Sequence, residues 1–124
     1  MMNIYCKVCG NPYTELHHIM FRSEVKTLEN CKLNLVNLCV EHHKGTYGVH
    51  GSKGAGLNRK LKLEFQDKLE ELWDKQYLTK EEINNILQIN DKALNRLLKS
   101  LSLHKDKYIK EDVIGACIGG KFII

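Results

Sequence analysis

Five of the six histidines in this 124-residue chain fall between residues 15 and 50, together with two of the five cysteines. A Cys6-x-x-Cys9 pair stands just upstream. Imidazole and thiolate are the nitrogen and sulfur ligands that zinc-like metals prefer, and a short, otherwise polar segment so rich in them is hard to explain as packed core. Cys6-x-x-Cys9 and Cys39-x-x-His42 are two chelating pairs of matching bite, which together make a tetrahedral Cys3His set for a structural zinc. A lone Cys-x-x-Cys could serve thiol redox chemistry instead. Here no βαβ pattern surrounds it, and that use would leave Cys39 and His42 idle. Cys31 and Cys117 have no partner at ligand spacing and read as small buried hydrophobes.

With those four ligands assigned, His17, His18, His43 and His50 are left over, along with Asn34. On a strand His17 and His18 point to opposite faces, so one can hold a metal ion while the other faces a substrate phosphate. On a helix His43 points about 100 degrees away from His42, so His42 can serve the zinc while His43 faces a second ion. Open ligand positions beside a base are what hydrolytic metal chemistry needs.

The elements that must position these groups follow from the local pattern. Residues 4–13 read as a zinc knuckle, with Gly10 after the second cysteine and a bend at Asn11-Pro12. A strand is expected over residues 14–19, a loop carrying Arg22, Lys26 and Lys32 over 20–33, a second strand over 35–38, and a short helix from Cys39 or Val40. Glycines at 45 and 48 weaken that helix, and residues 51–56 read as a flexible breaker. The first unit is therefore drawn at 1–56 and a helical region at 57–124.

From Leu57 the period becomes helical. Leu61, Phe65, Leu69, Leu72, Trp73 and Tyr77 make one apolar stripe on a helix of about 20 residues. Thr79-x-x-Glu82 is a capping box that starts a helix carrying Ile83, Ile86 and Leu87. Asn90 or Asp91 caps the next, with Leu94, Leu97, Leu98 and Leu101 inward. A short strand at Tyr108-Ile109 and an apolar segment over 113–118 follow. The two helices of residues 79–102, the second bearing Lys92, Arg96 and Lys99, read either as a helix-turn-helix or as a plain helical hairpin.

The histidine-rich stretch resembles a known family. His17-His18-Ile, Asn34-Leu-Val-x-Leu-Cys39 and Cys39-x-x-His42-His43 are similar to the signature of HNH endonucleases, and most of all to the subgroup stapled by a zinc knuckle. The likeness spans about residues 4–50, and the chain as a whole is similar to small phage-type HNH proteins with a helical tail. The resemblance implies an α+β chain: a small zinc-stapled ββα-metal core followed by an α-helical region. It implies a metal-dependent endonuclease acting on DNA and leaving 5′-phosphate and 3′-hydroxyl ends. His17 and His43 would hold one catalytic Mg2+ or Mn2+, His18 would activate water, and Asn34 would tie the loop and orient that base. Asn37 competes with Asn34 for this place. Tyr47 occupies the position where many members carry a further histidine, so His50 becomes the displaced third ligand or a phosphate contact.

Composition sets the outer bounds. A formal net charge of +4 and a pI near 8.8 suit a nucleic-acid partner without demanding one. Arg59, Lys60 and Lys62 are candidate phosphate contacts, because they follow directly on the metal unit. No apolar run is long enough for a membrane span, and residues 1–6 lack the regions of a signal peptide. Free thiols at metal spacing favour a reducing cytoplasm, the resemblance implies a bacterial or phage-encoded chain, and no small-molecule cofactor is expected. The competing function is a zinc-stapled module that binds nucleic acid without cutting it. A pure binder, however, has no need of two adjacent histidines plus a third on the helix.

Overall fold

The computed structural model describes residues 4–124 and is mixed α+β. The N-terminal residues 1–3, part of the stretch read above for leader features, lie outside the described residues. Strands β1 (Glu15–His18) and β2 (Leu35–Leu38) form one antiparallel pair, with Glu15 opposite Leu38 and His18 opposite Leu35. The chain between them is drawn into two 3-10 turns, Lys26–Leu28 and Lys32–Asn34, where a featureless loop was expected. Helix α1 (Val40–His43) is a single turn begun at Cys39, as its spacing predicts.

The long helix α2 (Ala55–Leu72) starts two residues before the expected Leu57 and stops earlier than its apolar stripe implied. Leu61, Phe65 and Leu69 are buried along it, but Leu72 and Tyr77 are exposed. Trp73 turns extended (φ −94°, ψ 100°) and swings its ring into the core. Tyr77 then belongs to β3 (Tyr77–Leu78), which pairs antiparallel with β4 (Tyr108–Ile109). A pairing partner distant in the same chain outweighs helical periodicity there.

Helices α3 (Lys80–Leu87) and α4 (Asp91–Leu98) are joined by residues 88–90. The capping box forms as expected: the Glu82 amide donates to Thr79 Oγ1 at 3.1 Å and the Thr79 amide to Glu82 Oε1 at 3.0 Å. Asn90, not Asp91, caps α4, its Oδ1 accepting from the Ala93 amide at 2.8 Å. Gln88 adopts φ 51°, and the Asn84 side chain clamps Ile89 from both sides, accepting its N–H at 3.0 Å and donating to its carbonyl at 2.9 Å. These side-chain amides add to the Gln88 amide's 2.9 Å bond to the Asn84 carbonyl in holding the turn. Helix α5 (Lys110–Cys117) closes the chain.

One apolar cluster runs across the 56/57 boundary, from Cys6, Leu28, Cys31 and Leu38 through Phe65, Leu69 and Trp73 to Leu94, Val113 and Cys117. The metal-rich unit and the helical region therefore share a core. Burial pushes the Cys31 and Cys117 thiols well above the ordinary range, consistent with inert packing groups. No described helix is long and apolar enough to cross a membrane.

The Thr79→Ala variant should lose about 0.5–2 kcal/mol of unfolding free energy, seen as a lower urea midpoint at unchanged slope. A midpoint equal to the parent's would mean that the capping box contributes nothing to stability.

Candidate metal centre

Two separate clusters of ligand atoms converge on the β1–β2–α1 unit. In the first, Cys6 and Cys9 come from the knuckle turn, Cys39 from the start of α1, and His42 from within it. Cys9 Sγ lies 3.7 Å from Cys39 Sγ, Cys6 Sγ 3.7 Å from His42 Nδ1, and Cys39 Sγ 3.2 Å from the same nitrogen. Tetrahedral zinc with bonds of about 2.3 Å to sulfur sets neighbouring sulfurs about 3.8 Å apart, so the spacing is compatible with a structural zinc. Burial pushes Cys6 upward, but the backbone amides of Cys39, Cys9 and Val8 outweigh it and bring the thiol down to about 6. Cys9 is lowered by the Asn11 amide, yet burial and the nearness of Cys6 and Cys39 raise it on balance. Three thiolates this close repel one another unless a cation sits among them.

The second cluster is His17, His43 and His50, each with a ring nitrogen within 4.8 Å of the other two. Their rings meet edge to face at centroid distances of 4.9–5.1 Å. His17 comes from β1 and is only 2% exposed, and its Nε2 is buried without any hydrogen-bond partner. A buried orphan nitrogen is costly unless something binds it. His43 comes from the end of α1, and its Nδ1 meets Glu15 Oε1 at 2.9 Å, leaving Nε2 for an ion. Such a carboxylate behind the ring fixes the tautomer and raises ligand basicity. The His43 bond, with Lys44 helping, holds the Glu15 carboxyl below its ordinary range.

His50 arrives by a route other than the one expected. Helix α1 ends at His43, so His50 is not two helical turns further on. Instead the chain winds back: the Val49 amide donates to the His42 carbonyl at 3.0 Å and the His50 amide to the His43 carbonyl at 2.9 Å. Of residues 51–56, expected as a flexible breaker, 51–54 are part of this winding and 55–56 already belong to α2. A Cβ at Gly51 would collide with the carbonyls of Gly45 and Thr46, and one at Gly54 with that of Gly48. These glycines permit close backbone approach.

His18 lies next to the trio but outside it. Its Nε2 is 2.9 Å from the Glu29 carbonyl. A carbonyl only accepts, so Nε2 carries the hydrogen and Nδ1 is left as the basic nitrogen. His17 and His18 thus diverge as strand neighbours should, yet both border one cavity with Phe21, Arg22, His43 and His50. Asn34 is fully buried: it accepts the Met20 amide at 2.7 Å and donates to the carbonyls of Met20 at 3.1 Å and Leu28 at 3.2 Å. It pins the chain on both sides of the His18–Glu29 contact. Asn37 stands on β2 and accepts from the Lys7 amide and from Thr14 Oγ1.

The basic candidates divide. Arg59 and Lys60 are exposed on α2, whereas Lys62 is paired with Glu24 at 2.8 Å and sits 4.4 Å from the Phe21 ring centroid. Lys62 braces the cavity wall more than it offers a charge. Sequence reasoning gave no role to Glu15 or Phe21, and took Arg22 only as a basic loop residue. Glu15 was detectable, since it stands two residues before His17 on the same strand face. Arg22 and Phe21 reach the cavity through the loop's path, which leaves no local signal. Comparison with family models, curated proteins and solved structures returned no match.

The exposed Cys9 makes the zinc set testable without disturbing the core. The purified chain should carry one tightly held zinc, and Cys9→Ser should release it far more readily to a chelator, read by metal analysis. Equal retention would remove Cys9 from the set. Burial, followed by the charges of His43 and His50, holds His17 down to about 4 from its ordinary 6.5. Between those values the unfolded chain binds the extra proton. Without added divalent ion, His17's contribution is therefore complete above pH 6.5 and is lost as pH falls toward 4. Relative to His17→Gln, the parent should lose up to about 1.4 kcal/mol per pH unit in that window, measured by denaturant unfolding. Parallel pH profiles would contradict the shift.

Proposed function

We propose that the chain is a metal-dependent DNA endonuclease of the HNH type, with β1, β2 and α1 as a ββα-metal core stapled by structural zinc and α3–α4 as a helix-turn-helix. One observation carries the reading. Three imidazole nitrogens converge within 4.8 Å, one of them buried without a partner, at a cavity that His18 also borders. A module that only binds nucleic acid needs the zinc staple but has no use for this second cluster.

The donor set bears on which ion fits. Three imidazoles with no carboxylate among them suit a transition-metal divalent ion, whereas Mg2+ favours oxygen ligands and retained water. Of the two ions expected, Mn2+ fits the donors better than Mg2+, and Zn2+ or Ni2+ fit at least as well. When bound, such an ion supplies Lewis-acid stabilisation of the charge that builds on the phosphate oxygens.

The protein's own groups do the rest. His18, fixed by Nε2–H on the Glu29 carbonyl, presents Nδ1 to take a proton from water. The water oxygen bonds to phosphorus as the bond from phosphorus to the 3′ oxygen breaks, and the departing oxygen is protonated from solvent. Asn34 is a positioning residue, holding the loop that carries the Glu29 carbonyl. Arg22, an exposed cation on the cavity wall, is placed to meet a phosphate.

The test is nicking of supercoiled plasmid with added Mn2+, Ni2+, Zn2+ or Mg2+, beside His18→Ala. Cutting should require the added ion and favour Mn2+ or Ni2+ over Mg2+. It should fall by about 10²–10⁴-fold in the variant while zinc content holds. Equal cutting by the variant would remove His18 as the base, and no cutting with any ion would favour the binding module.

A further inference from the structure

Lys26 and Glu29, from the first 3-10 turn and the residue after it, face Lys92 and Arg96 of α4 across a surface groove closed by Thr27 and Asn90. Helix α4 turns Leu94, Leu97 and Leu98 into the core and rests Ala93 toward the turn. Lys92 and Arg96, four residues apart, therefore project outward about 6 Å from each other along the helix axis. Lys99 continues the same exposed row. None of Lys26, Lys92 and Arg96 has a carboxylate partner among the described residues, and Glu29 is the one acid on the groove.

We propose that this groove docks the phosphate backbone of duplex DNA and leads it to the His18 cavity. Three unpaired cations against one carboxylate give a positive trough matched to a polyanion. The lining has no aromatic ring on which unpaired bases could stack, which favours a duplex over a single strand. Glu29 links the two places: it borders the groove, and its carbonyl holds His18, which lines the cavity, at 2.9 Å. A strand lying along α4 thus touches the residue whose carbonyl orients the group that activates water. The identity of the occupant rests on the nuclease reading, but the docking itself does not require cleavage.

The measurement is fluorescence anisotropy of a labelled duplex with the full chain, without added divalent ion, from about 50 to 200 mM salt. Strand integrity is checked on a denaturing gel. Each phosphate contact contributes about 0.9 to the slope of log affinity against log salt. The triple variant Lys26→Ala, Lys92→Ala, Arg96→Ala should lower that slope by between about two and three, and Arg96→Gln alone by about one. Lys68→Ala, an exposed charge elsewhere on α2, should leave it unchanged.

A triple variant with the parent's slope, a parent that does not bind, or tighter binding of duplex RNA would each overturn the proposal. Plasmid cutting that survives alongside an unchanged slope would reject the groove and leave the nuclease. The expected loss of slope in a chain that fails to cut with any added ion would keep the groove and reject the nuclease.

Discussion

The constraint on which everything else depends is the convergence of Cys6, Cys9, Cys39 and His42. Two four-residue strands and a single helical turn bury too little apolar surface to stand alone. A zinc held by these four donors would add to the core shared with the helices, tying the knuckle turn to the start of α1. Once α1 is anchored at Cys39 and His42, the direction of His43 is settled, because the next residue on a helix points about 100 degrees away. The place of His43 in the second cluster is therefore a geometric consequence of the first.

The histidine trio illustrates how neutral ligands are kept available. Burial holds His17 at about 4, and burial with the charge of His43 lowers His50 as well. At neutral pH both rings are unprotonated and ready to donate a lone pair. Glu15 supports His43 from behind, and Phe21 lies 5.2 Å from the His50 ring and 5.8 Å from that of His17. Lys62, caught between Glu24 and the Phe21 face, connects this wall to α2. The long helix thus acts on the site as a brace.

The helical region contributes to the same site through the 3-10 turn. Helix α4 packs against residues 26–28, and the residue that follows, Glu29, holds His18. Asn34 locks this loop from inside through Leu28 and Met20. Deleting the region after residue 56 would remove more than half of a shared core.

Elements governed by neighbours in sequence were legible from the amino acids alone. The boundaries of β2, the capping box at Thr79 and Glu82, and the two ligand pairs Cys6/Cys9 and Cys39/His42 all depend on residues two to four apart. Strand alternation and helical rotation act at that range, so His17 could be separated from His18 and His43 from His42 before any coordinates, while the pairing of His17 with His43 was what the family resemblance implied. What required tertiary structure was any feature made by distant segments. The stop of α2 at Leu72 depends on a partner strand at Tyr108, and the path of His50 depends on carbonyls at the end of α1. The role of Glu29 and the reach of Arg22 and Phe21 depend on a loop whose course is set by the buried Asn34. Sequence spacing determined which groups could bind metal, and long-range backbone pairing decided which of them meet.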